Sequence, residues 1–380
     1  MKKGYYIYVE NCGSLGVKRK IKMQIKAFAR QFEIKEVIIE NLDRNLGQRI
    51  AGLFFWNSIV RKYEAALKKI ENPDFVYIRR TYADKQYLEF IKSIKKLYPR
   101  CKIIIEMPVF PYKKEMLSYW YTAFMYIKEI MYRNRYKECI DRFVTYSDDT
   151  EIYGVPTICT MNGIDVDSVC VVKAKDDYEP NKINLIAVAL LARHHGYERI
   201  LKGLKEYYKT EQKRKVYFHI VGDGTEGKKY KRLVKRYHLE TYVKFYGTKF
   251  GKELDDIYNI ADAGVDAFGV YKDGLSKLCT IKAREYLAKG IPVISGAQDS
   301  LFVNGKSIYG LNFPNNHSLI EIEKIITYLD NLYLGKKKNV VNKEIRDYAY
   351  KYIDNEITLM PIVAYINEKD EEKTDDTKNI

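Results

Sequence analysis

Twice along this chain, apolar runs of strand length alternate with stretches of helical period, and that alternation constrains the fold more than any single motif does. In the first series the runs are YYIYV, EVIIE, FVYIRR, KIIIEMP and RFVTYS, all rich in Val, Ile, Tyr and Phe. Helical patterns lie between them, over 18–32, 57–70, 85–97 and 115–138. The series then restarts with INLIAVALLA, VYFHIVGDG, YVKFYG, AGVDAF, IPVISG and SIYGLNF. Here the helical patterns fall near 197–209, 228–237, 252–260 and 278–289. Strand followed by helix, repeated, requires a parallel sheet with helices on both faces. The expected fold class is therefore α/β, two doubly wound domains facing a cleft, with ligands beyond the carboxyl ends of the strands.

The domain expectation is a first domain over 1–165, a polar linker over 166–182 and a second domain over 183–341. A last helix over 342–367 is expected to pack back toward the first domain. The tail 368–380, EKDEEKTDDTKNI, has too few apolar residues to bury and is expected to be disordered. At 380 residues the chain has room for two cores of ordinary size. No stretch is apolar for long enough to span a membrane. The first apolar run is short and meets Glu10 and Asn11, so it reads as a strand and not as a signal peptide.

Six cysteines are scattered without CxxC spacing, and there are only five histidines. This pattern argues for reduced thiols in a cytoplasmic protein, without a disulfide frame or a zinc site. The net charge is +16, and six basic residues with no acid lie between Val17 and Arg30. Such a surface favours an anionic partner, whether phosphate, nucleic acid or anionic lipid, or else is simply a soluble basic surface.

Several stretches carry candidate chemistry. ENCGSLGVKRK follows the first strand and opens a helix, so Gly13 and Gly16 either let the backbone approach a ligand or make a tight turn. Gly222 and Gly224 at the end of VYFHIVGDG pose the same alternative, with a flat group such as a nucleobase as the ligand. In LLARHHGYERILKGL, Arg193 and His195 are candidates to face an anion in the cleft, while Arg199 and Lys202 read as basic residues on a solvated helix. The stretch SKLCTIKAREYLAKGIPVISG reads as a helix from about Leu278 to Lys289, closed by Gly290 and Pro292. Leu278, Ile281, Leu287 and Ala288 form its expected buried stripe. Lys282 and Glu285, three residues apart, then share the neighbouring face. A nucleoside diphosphate needs a cation and helix N-terminal amides for its phosphates, and a carboxylate for its ribose hydroxyls. Lys282 and Glu285 would supply one of each, the alternative being a surface ion pair. Glu106, at the end of the fourth strand, faces the expected cleft or else serves a structural partner. The segment EMLSYWYTAFMYIKEIMYRNRYK mixes aromatic and basic residues and suits either a membrane surface or core packing.

Taken in order, GVKRKIKMQIKAF, EMPVFPYKKE, VTYSDDTEIYGVPTICTMNGID, HHGYERILKGL, VGDGTE, FYGTKFGKELDDIYNIADAGVDAF and IKAREYLAKGIPVISG resemble segments of glycosyltransferase family four. That family comprises retaining, nucleotide-sugar-dependent enzymes of GT-B fold, and the likeness is to its capsule and exopolysaccharide branch. The resemblance implies that Glu285 binds the donor ribose, as the second glutamate of the Glu-x7-Glu motif. The first glutamate falls at 277, where this chain has Lys277. The family's Lys-Gly pair is His195-Gly196 here, so His195, Arg193 or Lys277 is implied to take over diphosphate contacts, with Thr280 as a further donor-site candidate. The resemblance further implies that no metal or other cofactor is needed, that the partners are a nucleotide sugar and a glycan or polyprenyl-linked acceptor, and that Glu106 would orient the acceptor or shield positive charge at the anomeric carbon; no stretch resembles a nucleic-acid-binding motif, so no nucleic acid is expected. The expected location is the cytoplasm, with peripheral attachment to the inner membrane face left open. Two rival readings are a nucleotide-sugar epimerase and a basic membrane or nucleic-acid binding module.

Overall fold

The computed structural model of the chain describes residues 1–10, 15–41, 61–117, 120–173, 178–179, 181–302 and 307–368. The expected helix over 57–70 lies partly outside these residues and is described from Tyr63 to Leu67. Gly13 and all but the first residue of the expected tail lie outside them.

The first sheet comprises β1 (Lys3–Val9), β2 (Glu33–Ile39), β3 (Phe75–Arg79), β4 (Lys102–Met107), β5 (Arg142–Thr145), β6 (Glu151–Ile152) and β7 (Val155–Cys159). Their order is β2-β1-β3-β4-β5-β7-β6. Every pairing is parallel except the closing β6–β7 hairpin. Successive side chains point to opposite faces. Tyr5, Ile7, Val76, Ile78, Ile103 and Ile105 therefore pack beneath the helix Lys85–Leu97. Tyr6, Phe75, Tyr77, Ile104 and Val144 pack on the other face with Ile21 and Phe28 of the helix Leu15–Phe28. Burial on both faces is why these strands read as continuous apolar runs.

The second sheet comprises β8 (Lys182–Val188), β9 (Lys215–Val221), β10 (Val243–Phe245), β11 (Ala263–Val265), β12 (Val293–Ser295) and β13 (Gly310–Asn312), in the order β10-β9-β8-β11-β12-β13. All its pairings are parallel.

Three expectations are corrected. The pattern over 115–138 resolves into the helices Lys113–Met116 and Trp120–Tyr132 and a 3₁₀ turn, Arg133–Glu138. The linker is not simply a polar connection, because Val166, Val169 and Val172 bury into the second domain's core. Arg346 holds it there, donating to the carbonyls of Val166 (3.0 Å) and Val169 (2.9 Å). The single last helix is two, Lys338–Ile353 and Asn355–Asn367, broken at Asp354 (φ −59°, ψ 144°). The Asp354 carboxylate accepts from Glu356 N at 2.9 Å and so caps the second helix. That second helix packs on the first domain, where Leu359, Ile362 and Ile366 join the cluster around Tyr6 and Phe28. At the crossover, Gly163 lies where a Cβ would fall 2.1 Å from Thr358 Oγ1, so a larger residue would push this helix away.

Candidate active site

The helix Ile281–Lys289 forms one wall of the cleft. It begins at Ile281 and not at Leu278, because Thr280 caps it: the Thr280 hydroxyl accepts from Ala283 N at 3.1 Å. The same hydroxyl donates to Asp266 Oδ1 at 2.8 Å. Leu278 packs instead beside Ala267, Val270 and Ala297. Gly290 (φ +82°) ends the helix in the left-handed conformation. The buried face holds Ala283, Tyr286, Leu287 and Ala288, and also Arg284, whose guanidinium pairs with the buried Asp299. Arg284 Nε also donates to Asn162 O at 3.1 Å, fastening the helix to the crossover.

Lys282 stands in the first turn, with Nζ 3.4 Å from both Asp266 Oδ1 and the Tyr197 hydroxyl. Burial lowers its pKa and Asp266 opposes that shift. Glu285 stands one turn later on the cleft side, its side chain 24% exposed, with Oε1 3.8 Å from Nη1 of Arg19 in the first domain. The two charges therefore have different partners: Lys282 faces the carboxyl edge of the second sheet, and Glu285 faces the first domain.

The turn after β8 carries Arg193, exposed, and His195, buried. His195 Nδ1 accepts from Ala192 N at 3.0 Å, which places the ring proton on Nε2. Burial, with Lys282 nearby, holds its pKa well below the ordinary imidazole value. His195 is thus corrected from a candidate cation to a neutral donor. Gly196 (φ +60°) lets this turn lie on Gly269, whose N would be 2.5 Å from an added Cβ. Arg199 is corrected as well. It is not solvated but 1% exposed, donating to the carbonyls of Ser318 (2.6 Å), Phe268 (2.9 Å) and Pro314 (2.9 Å). Lys202 is exposed, as expected. At the end of β9, Gly222 (φ +114°) and Gly224 (φ +154°) pass so close to the loop after β8 that added Cβ atoms would fall 1.9 Å from Ala189 O and 2.4 Å from Leu191 O. Close backbone approach within the protein explains both glycines.

The opposite wall begins at the helix Leu15–Phe28, with Gly16 exposed in its first turn. Glu106 is fully buried at the end of β4. Its Oε1 accepts from Lys20 Nζ (2.7 Å), Gln24 Nε2 (3.2 Å) and the Tyr146 hydroxyl, and its Oε2 from Arg79 Nη1 (2.6 Å). Burial alone would raise the pKa of Glu106, but Lys20 and Arg79 hold it at about 2. Burial brings Lys20 down to about 8 against the pull of Glu106. The cleft-facing role expected of Glu106 is therefore corrected. Both oxygens are engaged and none of the side chain is exposed, so it positions the helix that carries Arg19.

Between the walls lies a pocket of about 210 Å³, lined by Pro108–Pro111 and Tyr146–Asp149 from the first domain and Gly274–Cys279 from the second. Lys277 pairs with Asp148 across it. Among the described residues, no group of three or more His, Cys, Asp or Glu is placed to hold a metal ion. Sequence reasoning missed Asp266, Tyr197 and Asp148, and it took Arg19 only as part of a basic run. Asp266 had a signal, an acid directly after the apolar AGV of β11. Arg19 and Asp148 had none, since the value of each depends on the other domain.

Comparison with known proteins bears on this cleft. Residues 173–329 match the family model for glycosyl transferases group 1. The matched span is most of the second domain with part of the linker before it. Over the whole chain the fold is similar to Anabaena Alr3699/HepE in complex with UDP, with a TM-score of 0.62 at 13% identity, covering 96% of this chain and 99% of that one. It is similar to sucrose-phosphate synthase (tll1590) from Thermosynechococcus elongatus, with a TM-score of 0.63 at 13% identity, covering 96% and 98%. A glycosyltransferase from Rickettsia africae ESF-5 gives a TM-score of 0.60 at 14% identity, covering 96% and 98%. Comparison with curated proteins finds no match. The fold is GT-B, two Rossmann-like α/β domains facing a cleft.

Proposed function

We propose that this protein is a retaining glycosyltransferase that moves a sugar from a nucleoside-diphosphate sugar to a glycan or polyprenyl-linked acceptor in cell-surface polysaccharide synthesis. The observation that carries the reading is the pair of charges on the capped helix Ile281–Lys289, with Lys282 toward the sheet edge and Glu285 toward Arg19. Glu285 accepts hydrogen bonds from the ribose hydroxyls. Lys282, the free amides of the helix N-terminus, exposed Arg193 and the Nε2–H of His195 stabilise charge on the diphosphate as the sugar leaves. The acceptor hydroxyl forms its bond to the anomeric carbon on the face from which the diphosphate departs, and the departing phosphate takes its proton, so neither a protein nucleophile nor a separate base is required. The group 1 family match and the UDP and UDP-glucose complexes described for Anabaena HepE support a nucleotide sugar as donor.

The test is a melting-temperature panel of nucleotides and nucleotide sugars on wild type and Glu285→Gln, followed by donor-turnover assays with and without chelator. Wild type is expected to be stabilised by a nucleoside diphosphate and to turn over donor in chelator. Glu285→Gln should keep its ligand-free melting point and lose about 1.5–3 kcal/mol of donor binding, roughly tenfold to a hundredfold. An unchanged donor shift in the variant would remove the ribose assignment.

A further inference from the structure

The helix Trp120–Tyr132 turns an apolar face to solvent. After Leu117, the residues Trp120, Phe124, Ile127 and Met131 follow at spacings of four, three and four, which aligns these four in one stripe along the helix. In chain order from Leu117, the five are 48%, 67%, 42%, 43% and 56% exposed, and Ile130 beside them is 43% exposed. The inward face is held by other means. Tyr126 packs on Tyr112, and the fully buried Glu129 pairs with Arg80. A surface helix ordinarily buries its apolar stripe, so this arrangement is inverted.

Charge at its two ends indicates what covers it. Lys113 and Lys114 are exposed before the helix, and Arg135 and Lys137 after it. From 116 to 137 the one acid is Glu129, and it is buried. Glu138, the next acid, is taken by Lys92 and Arg135. We propose that this face docks on an anionic lipid surface, with Trp120, Phe124, Ile127 and Met131 entering the boundary between headgroups and acyl chains and Lys113, Arg135 and Lys137 meeting lipid phosphates. An apolar stripe with an indole, flanked by exposed cations and with no exposed acid between residues 116 and 137, matches an interfacial helix.

The docking face adjoins the cleft. The segment Pro108–Pro111, which lines the pocket, leads directly into it. The Lys114 side chain crosses Gly274 of the second domain, its Cδ 2.3 Å from where a Cβ would stand. A docked helix therefore sets the cleft mouth beside the lipid surface, where a lipid-linked acceptor would be presented. That consequence rests on the proposed function, but the docking itself does not.

The experiment is co-sedimentation of the full chain with vesicles of phosphatidylcholine alone and with phosphatidylglycerol added. Wild type should bind the anionic vesicles and lose binding as salt is raised. Combining Trp120→Ser, Phe124→Ser and Met131→Ser should weaken vesicle binding by roughly tenfold or more, with the nucleotide-induced melting shift unchanged. Equal vesicle binding by the triple variant would overturn the proposal. So would a wild-type dimer that ignores vesicles and is abolished by the same three changes, since a second copy would then be the partner. A failed nucleotide shift with intact vesicle binding would instead count against the transferase reading alone.

Discussion

Two oxygens of Glu106 serve four donors, and two of those donors are cations, Lys20 buried and Arg79 mostly so. Its effect on the cleft is indirect: Lys20, drawn under β4, fixes the helix turn from which Arg19 reaches Glu285. Replacing Glu106 by Gln leaves Lys20 and Arg79 facing a neutral amide, and a loss of roughly 3–5 kcal/mol is expected from such a broken buried pair. The pH dependence follows from the carboxyl being held at about 2, below its ordinary 4.5. The stabilisation is fully present above about pH 4.5 and is lost as the pH falls toward 2. Urea unfolding of wild type and Glu106→Gln across this range should show the gap between them largest near neutrality and narrowing in acid. A constant gap would mean that the carboxylate charge contributes nothing. His195 gives the opposite expectation. Its ring is buried and neutral, so nucleotide affinity should show no step near pH 6.5 from this residue, as calorimetric titration across that range would reveal.

At the scale of elements, the helix Ile281–Lys289 is fixed at both ends, by Thr280 at its start and Gly290 at its close. Thr280 has a second task through its bond to Asp266, the carboxylate that also faces Lys282. Thr280→Ala should cost about 1 kcal/mol of stability through the lost cap. It should also weaken nucleoside-diphosphate binding, because Asp266 is then free to turn fully toward Lys282 and compete with phosphate. Thr280→Ser keeps the hydroxyl and should restore both properties. Thermal melting and binding calorimetry on the two variants check this, and normal binding by Thr280→Ala would show that the cap is structural only. The loops after β8 and β9 are fixed differently, by backbone packed on backbone at Gly222 and Gly224, which leaves room for no side chain at either position.

At the scale of the molecule, the described residues join the two domains at the crossover at Asn162 and Gly163, through ion pairs across the cleft, and through the last helix, among other contacts. Ending the chain after Asp354 would remove Leu359, Ile362 and Ile366 and expose Tyr6, Phe28 and Tyr77 of the first domain. Such a truncated chain should melt in two steps, the first domain first, or aggregate; a single transition at the wild-type temperature would show that the last helix is dispensable. The sequence by itself determined the two α/β domains, because strands buried on both faces must be continuously apolar and the helices covering them must be periodic. It also determined the capped helix with Lys282 and Glu285, since residue spacing along a helix dictates which side chains share a face. It misjudged where that helix begins, because the capping role of Thr280 lies in its φ and ψ. Only the tertiary structure decided which charges are buried. Arg199, Arg284 and Glu106 look like surface residues in one dimension, yet the side chain of each is enclosed with partners at least 15 positions away. Burial and pairing are properties of what other segments bring, and no local pattern encodes them.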